Sequence, residues 1–298
     1  MANLKDISRR IKSVKNTQKT TRAMKLVSTA KLKRAEEIAK RSRAYSVKIN
    51  QVLASIAYQL NQQKVEGIES RFFSPLEEGS EKKVDLVFIT ADKGLCGGFN
   101  YQTIKAVRRN LEEFKANKTK VRIRAIGKKG IEYFKFQGVE IFDSKLGLSA
   151  TPNYQEAKAF IDKSIEDFLD GATDQLKLVH NGFVNVITQE VRERRLLPIC
   201  MKDIEPQEFT SMLDIEPEDD ETILESLVRK YVEYNVYYAL LDSLAAEHSA
   251  RMQAMDAATN NAKEMASQLT LKYNKARQEA ITTELIEIIS GVESLKKK

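Results

Sequence analysis

The chain has 298 residues, 49 basic and 42 acidic side chains, a net charge of +7 and no tryptophan. No apolar run approaches the roughly 18 residues of a membrane span, and no short apolar signal-peptide core opens the chain. Cys96 and Cys200 stand in no metal or redox spacing, which reads as a reducing compartment; His180 and His248 are too few and too distant for a metal site or a triad.

Glycine and proline, the strongest helix breakers, are segregated. All five prolines and eleven of the twelve glycines fall between Gly67 and Pro217. This divides the chain into a long N-terminal helix (1–66), a central α/β domain with flanking linkers (67–217) and a long C-terminal helix (218–298). Uninterrupted helices of these lengths run to about 100 Å and need a partner to bury an apolar seam. Each is the natural partner of the other.

The first helix has Asn3 as a plausible N-cap, with Asp6 three positions on. Leu4, Ile7, Ile11 and Val14 then recur every three to four residues. Between 15 and 25 the pattern fades into Lys, Thr, Gln and Arg, with Met24 and Val27 the next sizeable apolar groups. It strengthens again at Ile38, Ile49, Val52, Leu53, Ile56 and Leu60. The faded stretch predicts loose or polar contact. Residues 1–34 carry eleven Lys or Arg against Asp6 alone. A nucleic-acid arm is poorly supported without aromatic interleaving, and a transit peptide would end where this helical pattern continues. A solvated face or a surface for an acidic protein remains.

In the centre, Val84–Thr90, Val121–Ile126 and Val139–Phe142 read as strands, and Tyr154–Leu169 as an amphipathic helix. Leu176–Val179 and Phe183–Thr188 flank His180-Asn181-Gly182, where Asn-Gly predicts a tight hairpin turn. Leu196–Met201 reads as a last strand. The alternation gives a Rossmann-like α/β layer fold with a mixed sheet. The first strand enters Thr90-Ala91-Asp92-Lys93-Gly94-Leu95-Cys96-Gly97-Gly98-Phe99-Asn100 and then a helix. Such a turn can cradle phosphate, yet it matches neither G-x-x-x-x-G-K-[ST] nor G-x-G-x-x-G. The glycines read better as a tight turn that lets helix approach sheet, with Cys96 a small packed residue.

The second helix opens with the acids Glu218 to Glu221, favoured by the helix dipole. A seven-residue spacing follows: Leu224, Leu227, Tyr231, Tyr234, Tyr238, Leu241, Ala245, His248, Met252, Met255, Thr259, Ala262, Ala266, Leu269, Tyr273, Ala276. It predicts a left-handed coiled coil with His248 in the seam. If the two helices run antiparallel, residue 3 lies opposite about 276–280, given equal rise per residue. The apolar stripe Ile281, Leu285, Ile288, Ile289, Val292 and Leu295 is then left without an intramolecular partner, and a protruding single helix after about residue 280 becomes a binding surface.

Three blocks carry a resemblance over almost the whole chain: Ile11-Lys12-Ser13-Val14-Lys15-Asn16-Thr17-Gln18-Lys19 with Ala23-Met24-Lys25; Lys93-Gly94-Leu95-Cys96-Gly97-Gly98-Phe99-Asn100; and Tyr273-Asn274-Lys275-Ala276-Arg277-Gln278 through Ile281-Thr282-Thr283-Glu284. Arg251-Met252-Gln253-Ala254-Met255 with Ala257-Ala258-Thr259 adds a fourth. The chain resembles the γ subunit of the F-type ATP synthase, bacterial type. One departure is Val292 after Gly291, where the family has Gly-Ala. The resemblance implies a non-catalytic rotor shaft, without cofactor or metal, that couples rotation of the c ring to the β-subunit sites in synthesis and in reverse pumping. Implied partners are the α and β subunits, the ε subunit and the c ring, with no nucleic acid. Membrane association would come only through the complex, on the cytoplasmic face of the bacterial plasma membrane. Met24, Arg251, Arg277, Gln278, Thr282 and Glu284 match partner-contacting positions; the apolar tip Ile281, Leu285, Ile288, Ile289 and Val292 would sit in the collar of the α/β hexamer, and the basic segment would face an acidic β-subunit loop. The alternatives are a nucleotide-binding α/β enzyme using the Gly94–Gly98 loop, and a coiled-coil nucleic-acid binder with steeply salt-dependent affinity.

Overall fold

The computed structural model describes residues 4–63, 71–73, 82–199 and 220–296. Cys200, the acids at 218 and 219 and the 198–201 end of the last predicted strand therefore lie partly or wholly outside the described residues, as do the side chains of Ile56, Leu60, Leu224 and Leu295. The elements in order are α1 (Leu4–Gln63), a 3₁₀ turn (Arg71–Phe73), β1 (Lys83–Ile89), α2 (Phe99–Ala116), β2 (Lys120–Ile126), α3 (Lys128–Phe136), β3 (Asp143–Lys145), α4 (Tyr154–Leu169), β4 (Gln175–Phe183), β5 (Gln189–Leu197) and α5 (Asp220–Lys296). The chain forms two compact units, Met1–Ser28 with Met252–Lys298, and Thr29–Arg251.

Within Thr29–Arg251 the sheet order is β3-β2-β1-β4-β5, with only β5 antiparallel. Strand alternation sends Leu86 and Phe88 to one face with α2 and α3, and Val87 and Ile89 to the other with α4 and α5. The second face is built around Phe160, Ile161, Ile165, Phe168, Leu176 and Leu178, and α5 closes it with Val228, Val232, Val236, Ala239 and Leu240. This is the Rossmann-like mixed sheet that strand and helix alternation predicts.

Three local expectations fail. The last strand is Gln189–Leu197, so of the predicted Leu196–Met201 only Leu196 and Leu197 belong to it. The third strand is Asp143–Lys145, not Val139–Phe142. Val139 and Ile141 instead pack against the α2/α3 layer, so their hydrophobicity records burial rather than pairing. The hairpin turn is not at His180-Asn181-Gly182, which lies inside β4. The chain reverses at 184–188, where the Asn185 carboxamide oxygen accepts the N–H groups of Ile187 and Thr188. Gly182 is there for another reason: a Cβ would stand 2.5 Å from an Asp242 carboxylate oxygen and 2.7 Å from Arg192 Nε. The strand crosses α5 too closely for a side chain.

The helices pair antiparallel in each unit. In Thr29–Arg251, Tyr234 meets Ser42 (hydroxyls 3.0 Å apart) and Tyr45 (ring centroids 4.4 Å apart). In the other unit the Thr21 and Thr259 hydroxyls are 2.7 Å apart, and Lys25 Nζ lies 2.7 Å from Asp256. At one residue per 1.5 Å on both helices, that register carries Leu4 to about Ala276. Buried or half-buried positions of α1 recur through Leu4, Ile7, Ile11, Val14, Gln18, Thr21, Lys25, Ser28, Leu32, Ala35, Ala39, Ser42, Ser46, Ile49 and Leu53. The faded stretch is thus a continuous seam of small and polar groups. Val27 and Ile38 fall outside this 3.5-residue register and face solvent. On α5 the predicted seam is buried or half-buried from Met252 to Ala276. Between 228 and 251 it is only half the story, because α5 there is covered around nearly its whole circumference. The fully buried Val228, Val232 and Val236 pack in the cluster built on the sheet and α4, which also takes in Leu53 of α1.

Candidate functional site at the glycine-rich loop and the long helix

The glycine-rich loop sits at the C-terminal ends of the parallel strands, where sheets of this kind bind phosphate. Here the Asp92 carboxylate draws donors from the start of α3 and from the 147–149 segment. Asp92 accepts hydrogen bonds from Lys128 N (3.0 Å) at the start of α3, from Gly147 N (3.3 Å) and from the Ser149 hydroxyl (2.9 Å). Asn100 accepts from Ala91 N (2.9 Å) and donates to the Cys96 sulfur (3.2 Å). Cys96 is buried with Ala91, Phe99, Ala246 and Ala250, and burial pushes its thiol above the usual range. It is a packed, unreactive cysteine.

The outer rim of the loop presents carbonyl oxygens to α5. Arg251 donates to Gly94 O (3.1 Å) and Lys93 O (3.4 Å), and pairs with Glu247 at 2.6 Å, with 10% and 8% of the two side chains exposed. Burial raises the Glu247 carboxyl, with Arg251 opposing. His248, one turn back, is pushed down to about 4 by burial and then by the Arg251 and Lys31 charges. It is the neutral seam residue that the heptad spacing predicts. Leu95, at the loop tip, is 65% exposed and adopts a left-handed backbone (φ 61) unusual for leucine.

A second anchor lies along the β4–β5 hairpin. Asp242, 4% exposed, accepts from Arg192 (2.6 Å) and from the Phe183 N–H (3.1 Å), and stands 3.2 Å from His180 Nε2. Burial lowers the His180 pKa, with Asp242 opposing. Arg194 bonds the Asn235 carboxamide at 2.5 Å, and Ser249 is held by Gln189 (3.0 Å) and Val186 O (2.7 Å). Lys158 and Tyr154 converge on the Glu233 carboxylate at 2.5 and 2.6 Å. Sequence reasoning missed all of these, although Asn235, Asp242 and Ser249 share one heptad position, a polar column inside an apolar pattern.

The other nominated residues lie apart from this junction. Met24 is half-buried on α1, next to the Lys25–Asp256 pair. Arg277, Gln278, Thr282 and Glu284 are exposed, the Thr282 hydroxyl donating to Gln278 O at 2.9 Å. Every residue from 277 to 292 is exposed; Ile281, Leu285, Ile288, Ile289 and Val292 show 49–62% of their surface. Arg251 differs from them, being buried on the chain's own loop.

Within Thr29–Arg251 the structure is thus an α/β domain fastened along a long helix. The ATP synthase family model matches residues 3–295, and the chain belongs to that family. The ATP synthase gamma chain of a Nitratiruptor species is 62% identical over 296 residues, 99% of this chain and 100% of that one. That of Campylobacter concisus (strain 13826) is 61% identical over 297 residues, with the same coverage. Among solved structures, a central stalk/c-ring chain of the Tetrahymena thermophila mitochondrial ATP synthase aligns with TM-score 0.62 at 26% identity, covering 80% of this chain and 99% of that one. A rotor chain of the Euglena gracilis enzyme aligns with TM-score 0.62 at 16% identity over 93% and 98%, a likeness of fold.

Proposed function

We infer that this chain is the central rotor shaft of an F-type ATP synthase, coupling ion-driven rotation to the catalytic sites of a surrounding hexamer. The observation that carries this reading is the end of the helix register. α1 has paired to its start by about Ala276, at one residue per 1.5 Å on each helix, and α5 continues as an exposed apolar stripe through Val292. A surface of that kind on a single helix calls for a surrounding collar. The collar proposed here is made by α and β subunits. The foot, residues 67–217, carries the ε and c-ring contacts, and residues 1–66 and 218–298 form the shaft.

The chain contributes mechanics, not chemistry. The Asp92 carboxylate at the glycine-rich loop already takes the Lys128 and Gly147 N–H groups beside it, and the loop sequence has no Walker-type lysine. Among the described residues no helix is long and apolar enough to cross a membrane. The proposed location is therefore peripheral, on the cytoplasmic face of a bacterial plasma membrane, reached through the complex. Lys5, Arg9, Arg10, Lys12, Lys15, Lys19 and Arg22 are exposed on α1 and supply a cationic surface for an acidic β-subunit loop. Met24, Arg277, Gln278, Thr282 and Glu284 make the angle-dependent partner contacts; Arg251 fixes the 93–94 loop.

Co-purification tests the assignment: the chain should emerge with α and β subunits in a one-to-three-to-three ratio, and emergence without them would reject it. Met24→Lys should then impair ATP-driven proton pumping in membrane vesicles more than ATP hydrolysis. Equal retention of both would remove Met24 from the coupling surface.

A further inference from the structure

A groove of about 500 Å³ opens where α1, α4 and α5 meet within Thr29–Arg251, and no step of the rotor mechanism uses it. Its volume is within the range of small-molecule sites, roughly 300–1,000 Å³. Four phenol rings form the wall. Tyr45 and Tyr234 have centroids 4.4 Å apart, and Tyr154 and Tyr237 meet edge to face at 5.8 Å. Tyr234 and Tyr237 are 5.9 Å apart and close the ring of contacts. Two of the four are fixed by their hydroxyls: Tyr154 donates to Glu233 (2.6 Å), and Tyr234 bonds Ser42 (3.0 Å). Tyr45 is the most open, with 53% of its surface exposed.

Arg41 from α1 and Lys230 from α5 line the same groove and are exposed. Neither has an anionic partner among the described residues, whereas neighbouring Arg229, Lys40 and Lys158 are all paired. An aromatic wall alone would suit a cation or a neutral arene. Two uncompensated positive charges at its mouth turn that preference around. A cation is repelled, a neutral arene gains nothing from them, and an anion attached to a flat ring satisfies both. A guanidinium can also stack on the same ring.

We propose that this groove is a binding site for a flat aromatic anion, an aryl sulfonate, carboxylate or phosphate, whose ring lies against Tyr45 and Tyr234 and whose charge is held by Arg41 and Lys230. The bound molecule bridges α1 to α5 at a level where the two helices otherwise meet through Ser42 and the tyrosines. This proposal does not depend on the rotor assignment.

The probe is 8-anilinonaphthalene-1-sulfonate, titrated by its emission against the full chain. One saturable site is expected, weakened severalfold between 50 and 300 mM salt. Reversing both surface charges, Arg41→Glu with Lys230→Glu, should raise the dissociation constant at least tenfold, and both positions are exposed enough for the fold to survive. Tyr45→Phe should leave affinity within a factor of two, because the ring and not the hydroxyl makes the contact. The exposed stripe from Ile281 to Val292 is the competing place for such a probe. Binding that survives the charge reversal, that disappears when residues 281–298 are removed, or that never saturates would overturn the proposal.

Discussion

Arg251→Gln is the most direct test of the junction between loop and shaft. The substitution removes a cation whose carboxylate partner sits 2.6 Å away and is 8% exposed, together with two hydrogen bonds to loop carbonyls. Breaking a buried pair from one side costs about 3–5 kcal/mol, because the remaining charge is stranded. Glu247 has one way out. Its carboxyl is already raised by burial, and without Arg251 it rises further, so it can take up a proton in the folded state. A raised folded pKa means stability that is present at low pH and lost as pH rises through that value. The variant should therefore lose more at pH 8 than at pH 5.5. Glu247→Gln on top of Arg251→Gln should recover about 2 kcal/mol by removing the stranded charge, a coupling of the size contacting residues show. Tyrosine emission during urea unfolding reports on this region, since the chain has no tryptophan and nine of its ten tyrosines lie between 29 and 251. A loss under about 1 kcal/mol for the single variant, or a double variant that loses the sum of both, would refute the account.

Gly182→Ala forces a methyl to within 2.5 Å of the Asp242 carboxylate and should cost about 1–3 kcal/mol by overpacking, read as a lower Tm; an unchanged Tm would mean the strand can retreat from α5. Mild acid should weaken the fold, because His248 is held down to about 4 and His180 is also lowered, both chiefly by burial. Above the ordinary histidine pKa of about 6.5 both are neutral in either state; below it the unfolded chain takes up protons first, so stability falls by up to about 1.4 kcal/mol per pH unit for each histidine. Urea midpoints that stay level from pH 7.5 to 5.5 would contradict this. Truncation after Ser290 should be tolerated and torque should fall gradually as the tip shortens towards Ile281. Each apolar group is worth about 1.5–3 kcal/mol only if fully buried by the collar, and a sliding contact stays below that. A rotor that stops abruptly on losing only residues 291–298 would show a gripping tip.

What could be read in advance followed from periodicity. β1, β2 and α4 fall within a residue of their predicted bounds, because β1 is a largely apolar run, β2 alternates apolar with basic residues and α4 has a clean amphipathic pattern. The antiparallel register came from lengths alone, since rise per residue is the same on both helices. The misreadings share a cause. Asn-Gly is the strongest short hairpin signal, but Asn181 is buried against Phe99 O and Gln102, and Gly182 accommodates α5. These are tertiary demands on residues that also happen to suit turns. The second stripe of α5 was hidden for a similar reason: a helix buried on two sides has no polar face to set off the seam.

That two-sided burial bears on how a shaft can be driven. Apolar contact resists separation of α5 from the sheet but holds its angle about its own axis only weakly, because the contact is non-directional. Hydrogen bonds are directional, and those from Asn235, Asp242 and Ser249 recur every seven residues along one side of α5. They meet Arg194, Arg192 and Gln189 in turn, stepping along β5 towards the hairpin turn. Arg251 continues the fastening onto the glycine-rich loop. Rotating α5 against the domain would break all of these together, each buried or half-buried and each costing roughly 1–3 kcal/mol to leave unmade. Between 28 and 46 the α1 seam contributes the Ser42–Tyr234 hydroxyl pair at 3.0 Å, alongside small contacts at Ser28, Ala35 and Ser46. Within Thr29–Arg251, α5 is thus the helix locked in angle to the α/β domain, and α1 is the helix packed beside it. In the proposed rotor, torque entering through that domain would pass first into α5, the helix that carries the exposed tip.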